Sequence, residues 1–121
     1  MRYLLLIYGD ETQARQQPDD MAAALQAWWD YSKWLQEKGW YLGGDALQPT
    51  ATATTVRGRD GETLTTDGPF AETKEQLAGY YMIDCDNLDQ AIEAASKVPS
   101  LGWGGSIEVR PIQELPEPPE S

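Results

Sequence analysis

The chain of 121 residues contains no histidine, one cysteine and one phenylalanine, and its 9 basic side chains are outnumbered by 20 acidic ones. Each shortage excludes something. Without histidine there is no imidazole to bind a metal or to move protons near neutral pH. With Cys85 as the lone thiol, neither an intrachain disulfide nor a thiolate-rich zinc site can be assembled. Only a carboxylate site for Mg²⁺ or Ca²⁺ is left, and no Asp/Glu spacing here matches a calcium loop, so no metal is expected. The net charge of −11 repels phosphate backbones and argues against direct nucleic-acid binding. No stretch approaches the ~20 apolar residues of a bilayer crossing, and the apolar run from Tyr3 to Tyr8 is too short for a signal-peptide core. A cytoplasmic protein away from membranes is therefore expected. Gly102-Trp103-Gly104-Gly105 precedes a strand rather than a helix, so it reads as a joint and not as a phosphate cradle. Nothing else in the sequence announces a cofactor.

What is present suffices for one folded domain. Hydrophobic residues make up 40% of the chain, including 5 Trp and 6 Tyr, which a solvated acidic coil would not carry. Residues 3–8 are continuously apolar and end at Gly9-Asp10, the pattern of a strand covered on both faces. Residues 19–38 place Met21, Ala24, Leu25, Trp28, Tyr31 and Leu35 within a stripe about 120° wide, predicting an amphipathic helix. Pro18 suits its first turn, with Asp19 and Asp20 complementing the dipole, while Lys38-Gly39 closes it. Trp29 and Trp34 fall outside the stripe.

Residues 40–47 read as a strand interrupted by Gly43-Gly44, and residues 52–57 as a β-branched strand returning through 63–66 after an Asp60-Gly61 hairpin turn. Residues 77–83 form another continuously apolar strand. A second helix follows, with Leu88, Ala91, Ile92, Ala95 and Val98 at helical spacing, Asn87 as its cap, Gln90 in the capping-box position and Pro99 as its stop. The last strand, residues 105–112, sets Ile107 and Val109 against Ser106, Glu108 and Arg110 on the other face. Residues 1–113 thus form the domain, and the acidic, proline-rich residues 114–121 a disordered tail.

The order strand, helix, strand, hairpin, strand, helix, strand predicts an α+β, ferredoxin-like sandwich: two helices on one face of an antiparallel sheet, with an inserted β-hairpin. Two helices cover one face only. The strands at 3–8 and 77–83 are apolar on both, so pairing of two copies through their sheets is expected.

Tyr3-Leu4-Leu5-Leu6-Ile7-Tyr8-Gly9-Asp10-Glu11, Asp67-Gly68-Pro69-Phe70-Ala71-Glu72-Thr73-Lys74-Glu75 and Ser106-Ile107-Glu108-Val109-Arg110-Pro111-Ile112 resemble the DGPF branch of the YCII-related proteins. The likeness covers residues 1 to about 113, and its central string is the specific part. Gly44-Asp45-Ala46-Leu47-Gln48-Pro49 resembles a further segment of the branch, with Asp45 where Glu is usual. The resemblance implies a dimeric α+β barrel. For the wider group it implies acid–base chemistry through a His–Asp pair, akin to small lactone isomerases and dehydrochlorinases, and this chain cannot build that pair. It also implies a genomic setting beside extracytoplasmic-function sigma factors.

Asp67 is the candidate catalytic residue, since Gly68 lets a ligand approach the backbone and Pro69 fixes the turn presenting the carboxylate. The alternative is an Asx-turn satisfied by its own backbone amides. Lys74, among Glu72, Thr73 and Glu75, either steadies an anionic group or forms exposed ion pairs. Arg110 either clamps a carboxylate or pairs with Glu108. Tyr8, Tyr80, Trp40 and Trp103 either line a pocket for a flat organic molecule or fill core and interface. Asp45 and Phe70, carried by the matching segments, complete the candidate ligand-binding set. Two functions follow as expectations: a proton-moving isomerase, lyase or hydrolase acting on a small organic ligand, or a noncatalytic ligand sensor or protein partner linked to a sigma factor.

Overall fold

A computed structural model describes residues 1–12 and 20–119; the expected helix starters Pro18 and Asp19 lie outside the described residues. The chain runs β1 (Arg2–Gly9), α1 (Met21–Glu37), β2 (Tyr41–Ala46), β3 (Thr54–Arg59), β4 (Glu62–Asp67), β5 (Gln76–Asp84), α2 (Leu88–Ser96) and β6 (Ser106–Pro111). Four strands form an antiparallel sheet in the order β2-β5-β1-β6, and β3-β4 make a separate two-stranded sheet. That is the ferredoxin-like α+β fold with an inserted hairpin. No helix among the described residues is long and apolar enough to cross a membrane.

Alternation along the sheet sorts its faces. Tyr3, Leu5 and Ile7 on β1 are buried beneath the helices, with Ile83 on β5, and Val109 and Ile107 lie beside Leu5 and Ile7 in register. Leu4, Leu6 and Tyr8 alternate with them onto the opposite face, beside Arg110, Glu108 and Ser106 on β6 and, for Leu4 and Leu6, Met82 and Tyr80 on β5. Cys85, just past β5, is 4% exposed with its thiol directed at the Asn87 carbonyl, 3.5 Å away, and burial pushes the thiol pKa up.

Both helices lean on the sheet along narrower seams than the periodicity predicts. In α1 the buried residues are Ala24, Tyr31 and Leu35, with Trp28 packed against them, whereas Met21 at the free end is 68% exposed and Leu25 also faces solvent. In α2 the seam is Ala91, Ala94 and Ala95, and Leu88 and Ile92 are each 50% exposed. Small residues let this helix sit close to the sheet, and close approach leaves bulkier side chains on its shoulders. Asn87 caps α2 as expected, accepting from the Gln90 amide, whereas α1 begins at Met21 and Asp20, expected inside its first turn, is instead its cap and accepts from the Ala22 amide. The Gln90 side chain reaches back to the Asp86 amide rather than to the cap residue itself.

The hairpin turns at Asp60 (φ 53°) and Gly61 (φ 79°), the two positive φ values that a type I′ turn demands. Its base is tied by Gly68 N–H to the Ala53 carbonyl at 2.7 Å and by the Thr55 hydroxyl to the Gly68 carbonyl at 2.8 Å. At the other end of the chain, residues 112–119 have no regular secondary structure, and Glu114 takes two hydrogen bonds from the Arg2 guanidinium at 2.7 and 2.8 Å.

Candidate functional site

Two β-bulges sit on β5 and its neighbours: the β1–β5 register shifts between Ile7 and Tyr8, and the β2–β5 register between Tyr41 and Gly43. Bulges bend strands and re-aim side chains, and they are common at sites of function. Between α1 and the end of the β2–β5 ladder lies a cleft of about 420 Å³, with Trp28, Tyr81, Leu25 and Leu47 among its walls and residues 44–46 and 78–80 along its floor. Its floor depends on close strand approach. A Cβ on Gly44 would stand 2.6 Å from the Tyr80 carbonyl oxygen, and one on Gly79 would stand 2.8 Å from that of Asp45.

The walls are held by an aromatic cluster behind them. Trp28 stacks on Tyr81 at 6.3 Å between centroids and meets Trp103 edge-on at 6.1 Å, while Tyr31 meets Tyr81 edge-on at 5.2 Å. The Tyr81 hydroxyl hydrogen-bonds with Ser32 at 2.8 Å, and burial raises the phenol pKa. On the helix-free face, the Tyr80 hydroxyl donates to Asp45 Oδ2 at 3.1 Å, and that bond to a carboxylate holds the Tyr80 pKa up.

The expected site residues fall into three places. Asp45 and Tyr80 belong to the strand segments under the cleft, their side chains meeting on the helix-free face, and Trp103 stands behind the Trp28 wall. Tyr8 and Lys74 line a second, more open hollow of about 480 Å³ with Glu75 and Glu108, where the Ser106 hydroxyl donates to Glu75 at 3.0 Å. Asp67 and Phe70 stand at the hairpin base, Asp67 exposed and Phe70 74% exposed, with the Phe70 carbonyl accepting from Arg57 at 2.8 Å. Arg110 is exposed and donates to Glu108 on its own strand at 3.2 Å. Trp40 lies elsewhere, packed edge-on against Trp34 and beneath the Lys38 ammonium.

A model of the YCII-related domain matches residues 1–116. The chain belongs to the YCII-related family. This YCII-related chain is also 52% identical over 67 residues, 54% of its own length, to an uncharacterized protein of Rhizobium meliloti (strain 1021). The matched segment spans 54% of that relative, so the chain aligns with about half the length of the curated relative.

Sequence reasoning missed the residues that wall the cleft, notably Trp28, Tyr81, Leu25 and Leu47. Trp28 and Leu25 carry an ordinary core-stripe signature, and only the third dimension shows that the stripe runs out at a cleft mouth. The glycines at 44 and 79 were the available signal, since glycine inside a strand marks close backbone approach.

Proposed function

We propose that this YCII-related protein holds a small, flat organic molecule in the cleft between α1 and the β2–β5 edge. The observation that carries this reading is the combination of ring and aliphatic walls at Trp28, Tyr81, Leu25 and Leu47 over a floor of strand main chain, the makeup of small-molecule sites. Ligand retention, as in a sensor, fits better than turnover by Asp67, because that carboxylate stands exposed at the hairpin base and is not part of the cleft wall. A sigma-factor link belongs to the same reading, with the ligand as the signal. A thermal-shift screen of flat aromatic compounds tests it: binders raise the melting temperature of the native chain and lose that effect in Leu47→Asp. A screen without any response refutes the cleft as a binding site.

The second part of the reading is a homodimer closed through the helix-free sheet face, giving the two-sheet barrel. That face combines Leu4, Leu6, Met82 and Tyr80 with charges of both signs, Arg110 and Glu108 on β6 and Arg2 and Asp84 at its end, so a two-fold related copy can set unlike charges opposite one another. Light scattering at micromolar concentration gives twice the chain mass, and Leu6→Arg gives the monomer. A native monomer at that concentration refutes the pairing.

A further inference from the structure

The β3–β4 hairpin stands apart from the four-stranded sheet. No third strand joins it among the described residues, and every residue of its two strands is exposed apart from the half-buried Thr55. A lone two-stranded ribbon is marginal in water and needs a further strand or a packed face to persist. Its register separates two faces. On one, Thr55, Arg57, Arg59 and Leu64 lie beside the strap that follows β4, which Thr55 and Arg57 hold through the Gly68 and Phe70 carbonyls, each at 2.8 Å. The other carries Thr54, Val56, Thr63 and Thr65, uncharged as far as Asp67 at the root, and Val56 is 62% exposed there.

Position and area tie this ribbon to the pairing of two copies. The strap, residues 68–75, ends at the rim of the helix-free sheet face: Glu75 accepts from Ser106, and Thr73, Lys74 and Glu75 wall a hollow with Tyr8 and Glu108 of that face. The ribbon is thus rooted beside the surface through which the copies pair. Four strands about 4.8 Å apart, with about six residues each at about 3.3 Å per residue, give a flat face of roughly 400 Å². That is about half of the ~800 Å² that each partner of a stable complex contributes. The same spacings give the ribbon roughly 200 Å² on each of its faces, so the ribbon supplies area that the sheet alone lacks.

We infer that the β3–β4 ribbon is an arm that closes over the second copy of the chain, laying Val56 and its threonine neighbours on the partner. This rests on the reading of the chain as a homodimer through the helix-free face and adds the element that holds the two copies together. The partner in turn provides the packed layer that a two-stranded ribbon needs.

Two readouts on the full chain test the arm: the dimer dissociation constant, from sedimentation across a dilution series, and amide exchange of residues 54–67. Val56→Lys raises the dissociation constant about tenfold or more, the loss expected when a buried valine contact gives way to a solvated ammonium. Met21→Lys, at a position 68% exposed on α1, leaves the constant as it is. The hydrogen-bonded ribbon amides exchange slowly in the native dimer and at least about tenfold faster in the Leu6→Arg monomer, while protection of the β1–β5 amides verifies that the variant is folded. Diluting the native chain below its dissociation constant releases the same ribbon amides without any substitution. An unchanged constant in Val56→Lys, or an equal loss in Met21→Lys, overturns the arm and leaves the pairing standing. Ribbon protection that persists in Leu6→Arg or on dilution places its cover within the chain and overturns the arm as well. A native chain that is monomeric at micromolar concentration overturns the arm together with the pairing beneath it.

Discussion

Tyr31 on α1 donates its phenolic hydrogen to the main-chain carbonyl of Ala94 on α2 at 2.7 Å, joining the two helices inside the core. The same carbonyl accepts from the Lys97 amide at 3.3 Å, so removing the phenol does not strand it. Tyr31→Phe therefore lowers stability by about 1 kcal/mol, the net contribution of one such bond, measured by urea unfolding.

Alkaline pH acts on the same residue. Burial above all, and the neighbouring Tyr81 phenol second, raise the Tyr31 pKa far above its usual value near 10. The protonated phenol is what the fold favours. Below pH ~10 its contribution is complete; as pH rises past the unfolded-chain value, the unfolded state loses a proton that the folded state keeps, and stability falls by up to about 1.4 kcal/mol per pH unit. Tyr31→Phe shows a shallower alkaline decline, and a decline identical to that of the native chain refutes the assignment.

Gly44→Ala forces β2 away from β5, because the added methyl meets the Tyr80 carbonyl at 2.6 Å and the Tyr81 ring at 2.9 Å. Loss of about 1–3 kcal/mol is expected, as for other overpacked positions. The cleft floor moves with the strand. The variant therefore weakens ligand binding as well, and a melting curve paired with a titration reads both effects.

Asn87→Ala removes the side-chain acceptor for the Gln90 amide, a 3.0 Å bond at the start of α2. The expected cost is about 1 kcal/mol. Amide exchange accelerates first at residues 88–91, before the rest of α2, and uniform protection across the helix would contradict this.

Glu114 has its pKa lowered chiefly by hydrogen bonding to the Arg2 guanidinium. A carboxylate with a depressed folded-state pKa stabilises above its unfolded value and loses that contribution as pH falls. Residues 114–119 accordingly detach from Arg2 on acidification below pH ~4, and at neutral pH in Glu114→Gln, while Ile112 keeps its amide bond to the Arg2 carbonyl at 3.0 Å. The Arg2 Nε–H resonance reports the release, and its persistence in the variant would show that Glu114 is not the anchor.

Much of the architecture was written in local patterns. The alternation of β1, the Asp60-Gly61 turn and the Asn87 cap each depend on residues within a few positions of one another, and each appears where the pattern puts it. Core membership was harder to read. A hydrophobic stripe tells which face of a helix is apolar and not how far the sheet extends beneath it, so Met21 and Leu25 overhang solvent while Trp34, off the stripe, stacks on Tyr31 at 6.0 Å. Likewise, Leu88 and Ile92 gave way to the alanines because steric closeness, rather than hydrophobicity, decides the contact line.

The site was the least legible part. Asp45 and Tyr80 are 35 residues apart and meet through the β2–β5 register, which no single segment encodes. The Glu11 carboxylate receives both the Thr50 amide and hydroxyl at 2.9 Å, pinning the loop that leads to the hairpin, and nothing near either residue announces it.

The silence of the native thiol has a practical consequence. Cys85 is shut inside the domain and held in its protonated form, so maleimide reagents leave the folded chain unlabelled at neutral pH. A cysteine introduced at the hairpin tip, as in Asp60→Cys, would then be the sole attachment point for a fluorophore, without first having to delete anything from the core.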